Sequence, residues 1–146
     1  MNHSIPESFL DLVNAPRVAA LTTVMPDGQP QTTVVWCDYD GTHVRVNTMR
    51  GFRKEKNMSA NPKVTLLCYD PRQSLRSLEI RGKVVEMTEQ GAMEHLDGLC
   101  KLYTGKSPYF GTCVPAEFKD KETPVLCKIL PTHVVTLDAR KKEVTA

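Results

Sequence analysis

The chain lacks any apolar run approaching the roughly 20 residues that a bilayer-spanning helix needs, which excludes a transmembrane segment of that kind. Its first residues, Met1 to Glu7, carry no basic stretch leading into an apolar core, so the expected location is cytoplasmic. Charge of one sign is not in excess either. Lys and Arg total 19 against 17 Asp and Glu, a formal net charge of +2, which is too mild for bulk nucleic-acid binding. Aromatic residues make up 6% of the chain. They do not alternate with the basic residues as they do on single-strand nucleic-acid platforms, so a nucleic-acid module is the weakest reading.

The five cysteines, Cys37, Cys68, Cys100, Cys113 and Cys127, form no C-x-x-C pair, which removes the usual grips for zinc and for thiol exchange. No metal site is expected. Cys37, Cys68 and Cys127 sit in apolar runs, where a reduced cysteine behaves as a small hydrophobe. No linker, repeat or low-complexity segment divides the sequence, so residues 1–146 are expected to form a single domain. A domain of this size buries about two-thirds of its unfolded surface and needs no disulfide or metal staple.

What the sequence does contain is a concentrated cluster of positive charge. Arg50, Arg53, Lys54, Lys56 and Lys63 surround a single local carboxylate, Glu55. A strand pattern over Thr42 to Thr48 runs into Gly51, and a short helical segment then carries the charges until Asn61-Pro62 stops it. Such a strand-to-helix junction gathers backbone N–H groups and cationic side chains around one point, the requirement for holding a phosphate. A solvated basic helix face is the alternative. Residues 53, 54 and 56 point in neighbouring directions on a helix, so two or three of the basic groups at most can reach one phosphate. The others suit a longer anionic tail.

Around this cluster the periodicity is mostly that of strands. Ser4 is a candidate cap for a short helix with Pro6 near its first turn and an apolar side of Phe9, Leu10, Leu12 and Val13, which Asn14-Ala-Pro16 ends. Arg17 to Met25 and Gln31 to Tyr39 form a hairpin about Pro26-Asp-Gly28, and Thr42 to Thr48 alternates buried Val44 and Val46 with polar neighbours. Lys63 to Tyr69 suits a buried strand, Asp70 to Ser74 a loop, and Ser77 to Met87 another strand in which Gly82 allows a bulge or close approach. Glu89 to Tyr103 changes to helical spacing, with Thr88 as its candidate cap. Val125 to Leu137 is a last strand interrupted at Pro131. Six strands with short peripheral helices predict an antiparallel barrel in the α+β class, mostly β.

Three segments carry a family resemblance: Ala20 to Pro30 leading into Val34-Val-Trp36; Asn47-Thr-Met-Arg-Gly-Phe-Arg-Lys54 with Asn57 and Asn61 to Leu67; and Leu78-Glu-Ile-Arg-Gly-Lys-Val84. Over roughly Val18 to Asp138 the chain resembles the split-barrel flavin-binding superfamily that includes pyridoxine 5′-phosphate oxidase. Within it, the Thr-x-Arg-Gly-x-x-Lys-x-x-Asn arrangement and Tyr103-Thr-Gly105 are similar to the deazaflavin-dependent reductases that use coenzyme F420. The resemblance implies a homodimer of six-stranded split barrels, with the cofactor in the groove between protomers. It places Arg53 and Lys54 on the cofactor phosphate, flanked by Arg50 and Asn57. It lays the ring along Thr33, Val34 and Trp36 with Thr48 and Met49, and it brings Leu75 and Arg76 across from the partner.

The implied activity is an F420H2-dependent oxidoreductase that transfers hydride to an electron-poor acceptor of enone, quinone or tetrapyrrole type. No catalytic side chain is assigned: His43, His95 and His133 are scattered, and water can deliver the proton that follows the hydride. An FMN-binding flavoprotein on the same fold is the nearest alternative, and a non-catalytic cofactor- or haem-binding protein is the alternative from another class. A pyridoxine phosphate oxidase proper would need a C-terminal Arg-x-His segment, which Arg140-Lys-Lys142 is not.

Overall fold

A computed structural model describes residues 3–14, 17–141 and 143–145. Its frame is one antiparallel sheet that curls on itself. The strands are β1 (Ala19–Val24), β2 (Pro30–Val35), β3 (Cys37–Tyr39), β4 (Val44–Met49), β5 (Lys63–Asp70), β6 (Gln73–Thr88), β7 (Pro124–Asp138) and β8 (Glu143–Thr145). Hydrogen bonding runs in the order β2-β1-β5-β6-β7-β4-β3, and β8 pairs beside β7. β2 and β3 therefore occupy opposite ends of the path although one residue, Trp36, separates them in sequence. That adjacency brings the two ends of the sheet together, and the barrel is split at Trp36.

The expectation of six strands is corrected here. Seven strands form the path among the described residues because the segment Gln31 to Tyr39, continuous by its apolar pattern, divides at Trp36. The physical cause is a distant side chain. Tyr103 Oη accepts from the Cys37 backbone N–H at 3.0 Å and donates to the Arg17 carbonyl at 2.7 Å. Its ring stacks on Trp36 with centroids 5.1 Å apart. These contacts take the chain off the β1 ladder and hand it to β4.

Other boundaries move for local reasons. The loop expected over Asp70 to Ser74 is a tight turn, since β6 begins at Gln73. Pro131 does not interrupt β7. It pairs with Gly82 where the β6–β7 register shifts, a bulge that tolerates the missing N–H. Gly82 is required there, because a Cβ would lie 2.6 Å from the Leu130 carbonyl oxygen.

Three short helices cover the sheet: α1 (Asp11–Asn14) after a 3-10 turn at Glu7–Phe9, α2 (Arg53–Ala60) and α3 (Ala92–Thr104). Neither expected cap serves. Pro6 precedes the 3-10 turn without a side-chain cap bond, and Gly91 occupies the α3 N-cap while Thr88 Oγ1 accepts from Gln90 N–H one turn earlier. Pro16, the expected stop of the first helix, lies outside the described residues.

The barrel interior is filled by the alternate residues of each strand, including Leu21, Val46, Leu66, Ile80 and Ile129, and is closed at one end by Leu12 and Val13 of α1. A smaller cluster joins Met49, Leu96 and Phe110 under the loop that follows α3. It lies beside the end of β4, the point from which the basic helix starts.

Candidate functional site

β4 ends at Met49, and the turn into α2 needs a positive φ, which Gly51 supplies at +91°. The helix start is then fixed by its own third residue. Glu55 Oε1 accepts from the N–H of Gly51, the residue before the N-cap, at 3.0 Å, and Oε2 accepts from Ser59 Oγ at 3.0 Å. Burial pushes the Glu55 carboxyl up, but the Gly51 N–H, the Ser59 hydroxyl and Arg50 together hold it below the usual carboxylate range. Arg50 is consumed in this arrangement. It reaches Glu55 at 3.4 Å and Glu89 at 3.0 Å, so the fold adds a second carboxylate that the local sequence does not contain.

Asn57 is likewise engaged inside the protein. Its Nδ2 donates to Thr23 Oγ1 at 3.0 Å, and its Oδ1 accepts from Arg53 Nε at 3.0 Å, which orients the exposed Arg53 guanidinium. Lys54 is different. It is half-buried, its ammonium is pushed below its ordinary pKa by burial, and it forms no ion pair among the described residues. A half-buried cation without a counter-ion is a place where an anion gains more than at a screened surface site.

Lys54 stands on the wall of a cleft of about 220 Å³ at the split of the barrel. Of the residues expected at a cofactor, Val34, Trp36, Thr48, Met49 and Lys54 share this cleft. Thr33 sits on β2 opposite Leu21, beside the cleft but not in its wall. Arg50, Arg53 and Asn57 are not among the residues that line it and have the roles just described. Leu75 and Arg76 lie away from the cleft. Leu75 is 60% exposed, whereas Arg76 is buried against Phe9 and bonded to Asp11 and to the Ser8 carbonyl, each at 2.7 Å.

Asn47, Phe52, Leu96, Leu99 and Tyr109, none of them among the residues expected at a cofactor, also line the cleft. His95 packs behind Asn47. That ring is 5% exposed and held between Asp38 Oδ1, 3.3 Å from Nε2, and Asn47 Nδ2, 3.1 Å from Nδ1. Arg45 grips the same Asp38 through two 2.8 Å bonds. Burial pushes the Asp38 carboxyl up, and His95 and Arg45 overcome it, so it stays below its ordinary range. With Nε2–H facing the carboxylate, Nδ1 accepts from Asn47, whose amide also donates to the Ala92 carbonyl at 2.9 Å. The Asn47 Oδ1 is thereby directed away from these partners.

Asn47 Oδ1 and Thr48 Oγ1 are both buried without a hydrogen-bond partner. Asn47 and Thr48 are consecutive on β4, and a buried oxygen left unsatisfied costs about 1–3 kcal/mol. Facing them, β2 is an edge strand with one neighbour, so alternate backbone groups of Val34 to Trp36 have no ladder partner. A planar heterocycle with a hydrogen-bonding edge and an anionic tail fits this set: free backbone of β2 on one side, aromatic walls from Trp36 and Tyr109, and Lys54 at the tail. No group of three His, Cys, Asp or Glu side chains converges among the described residues. No helix among them is long and apolar enough to cross a membrane.

The family model for pyridoxamine 5′-phosphate oxidase matches residues 5–137. Among solved structures, one described as an F420 reductase is 30% identical, with a TM-score of 0.76, covering 89% of this chain and 98% of that one. A conserved hypothetical protein from Mycobacterium tuberculosis is 26% identical at a TM-score of 0.74, covering 97% and 90%. The general stress protein 26 of Bacillus anthracis shares the fold alone, at 17% identity and a TM-score of 0.64 over 95% of each chain. No curated protein matches significantly. With most of its length matched, the chain belongs to the pyridoxamine 5′-phosphate oxidase family of split barrels, a family of flavin- and deazaflavin-binding oxidoreductases.

Proposed function

We propose that this protein is a coenzyme F420-dependent reductase that works as a homodimer. The observation that carries the reading is Lys54: a half-buried ammonium without a counter-ion, on the wall of the cleft that Val34, Trp36, Thr48 and Tyr109 also line. Lys54 would hold the cofactor phosphate, with Arg53 on its solvent side. Val34 to Trp36 and Thr48 would hold the ring edge, and Trp36 with Tyr109 would exclude water from one end. When bound, the reduced deazaflavin supplies the hydride for an electron-poor carbon of an enone, quinone or tetrapyrrole acceptor. The chain's own residues contribute position and a water-poor setting, in which the donors around the acceptor act more strongly than in bulk water. Burial pushes the Tyr109 phenol above its ordinary pKa, so it stays neutral well into the alkaline range.

The deazaflavin is preferred to FMN for two reasons. The similar structure described as an F420 reductase is one. The other is the surplus of exposed cation, Arg53 and Lys56, beyond what a terminal phosphate uses. The dimer is supported by the cleft itself, which is smaller than the ~300–1,000 Å³ of sites that enclose a ligand of this size. It is supported too by an apolar face next to the cleft. Val34, 69% exposed, lies two strands from Leu67 through Ala20, and Tyr69 and Leu75 continue the same face. A second copy laid over that face would complete the groove and cover the apolar surface.

The test is a pair of fluorescence titrations of purified protein, with coenzyme F420 and with FMN, at physiological salt. Tight binding of the deazaflavin is expected, followed by acceptor-dependent oxidation of the reduced coenzyme. Preference for FMN would move the protein to the flavoprotein branch of the family. Tight binding without turnover of any acceptor would make it a cofactor carrier.

A further inference from the structure

The loop between α3 and β7 brings two thiols together that no part of the cofactor reading uses. Cys100 is fully buried on α3, Cys113 is exposed in the loop, and their Sγ atoms lie 2.8 Å apart. A disulfide at ~2.05 Å requires the sulfurs to approach by less than about 1 Å. The same loop is already docked on the same helix, because Tyr109 N–H donates to Asp97 Oδ1 at 2.9 Å and Cys113 N–H closes a turn on the Tyr109 carbonyl at 2.9 Å. Tyr109 lines the cleft and meets Trp36 edge-on at 6.4 Å. The remaining cysteines, Cys37, Cys68 and Cys127, are fully buried and out of reach of a soluble oxidant.

We infer that Cys100 and Cys113 form a reversible disulfide with small-molecule disulfides as oxidant, and that this bond fastens the Tyr109 wall of the cleft to α3. The exchange balances. The Cys113 thiolate attacks one sulfur of the small disulfide and releases one thiol; Cys100 then loses its proton and attacks Cys113 Sγ, releasing the second. Two electrons pass from the protein pair to the small disulfide, which leaves as two thiols. Burial and the neighbouring Cys100 push the Cys113 thiol up to about 11, so thiolate is scarce at neutral pH and the bond forms under sustained oxidation.

The experiment needs no cofactor and so stands apart from the deazaflavin reading. The full chain is incubated with oxidised glutathione, then mapped by non-reducing digestion and by amide hydrogen exchange. The expected result is a linked peptide joining Cys100 to Cys113, an intact mass lower by about 2 Da from two lost hydrogens, and full reversal by dithiothreitol. Exchange across residues 105–114 should slow by about tenfold on oxidation. Cys113→Ser, an exposed and conservative change, should abolish both effects. A stable glutathione adduct on Cys113 without the linked peptide, a linkage to another cysteine, or unchanged exchange in the loop would overturn the inference.

Discussion

Replacing Lys54 by Met separates the two things its ammonium does, because the aliphatic stem is kept and only the charge is lost. In the ligand-free protein that charge is half-buried and lacks a counter-ion, and burial lowers its pKa below the ordinary 10.5. Between the lowered and the ordinary value the unfolded chain binds more protons than the folded one. The group's contribution to stability therefore rises with pH across that window, and at neutral pH the charge opposes folding. Lys54→Met should leave the ligand-free protein as stable or more stable, with a flatter stability profile as pH approaches 10.5. Ligand affinity should move the other way. A hydrogen bond to a charged group contributes about 1.5–3 kcal/mol, so the Kd should rise about 10- to 150-fold. Arg53→Met, at an exposed position, should cost at most about 1 kcal/mol. Thermal denaturation with and without cofactor, alongside fluorescence titration, reads both signs in one set of samples. Unchanged affinity in Lys54→Met would refute the phosphate assignment, and a loss of ligand-free stability would refute the claim that its charge is uncompensated.

Arg76→Met should lower stability by about 1.5–3 kcal/mol in chemical denaturation, through loss of the charged bonds to Asp11 and the Ser8 carbonyl, and leave cofactor affinity intact. An affinity loss at full stability would instead place Arg76 in a partner's site. Asp38 has a lowered carboxyl pKa, so its contribution is present above the ordinary 3.8 and is lost as pH falls through the lowered value. Asp38→Asn should therefore be less stable than the parent at neutral pH, with the two converging in strong acid; a constant gap would contradict the pairing. Gly82→Ala should destabilise by about 1–3 kcal/mol, because its Cβ meets the Leu130 backbone carbonyl first and the Ile129 side chain next. Leu67→Glu should shift the light-scattering mass towards the monomer, since burying a leucine contributes about 1.5–3 kcal/mol to an interface; an unchanged mass would exclude this face.

Strands with one buried face were readable because alternation is a local signal: Val44 and Val46 declare β4 without help from elsewhere. The split at Trp36 was not readable, since it depends on Tyr103, far along the chain, capturing the Cys37 backbone. The basic segment announced a phosphate site, yet local sequence could not rank its members. Lys54 is distinguished from Arg50 because Arg50 pairs with Glu55 and with Glu89, the second brought to it by the fold. Asn47 was hidden for the same reason. Its setting is made by His95 and Ala92 from α3, and nothing in the run Val44 to Met49 reveals that its amide is oriented from behind.

The position of β7 sets the order of assembly. It lies between β4 and β6, pairing Val46 with Cys127 and Ile80 with Val134, although both partners are made long before it. Until residues 124–138 leave the ribosome, β4 and β6 each present an unpaired, largely apolar edge, and the sheet cannot curl closed. Folding must then wait for contacts of large sequence separation, the slow and aggregation-exposed regime for β topologies. A chain stopped ahead of Pro124 would expose two sticky edges rather than a smaller barrel, so synthesis of this protein should depend on chaperone capacity late in translation.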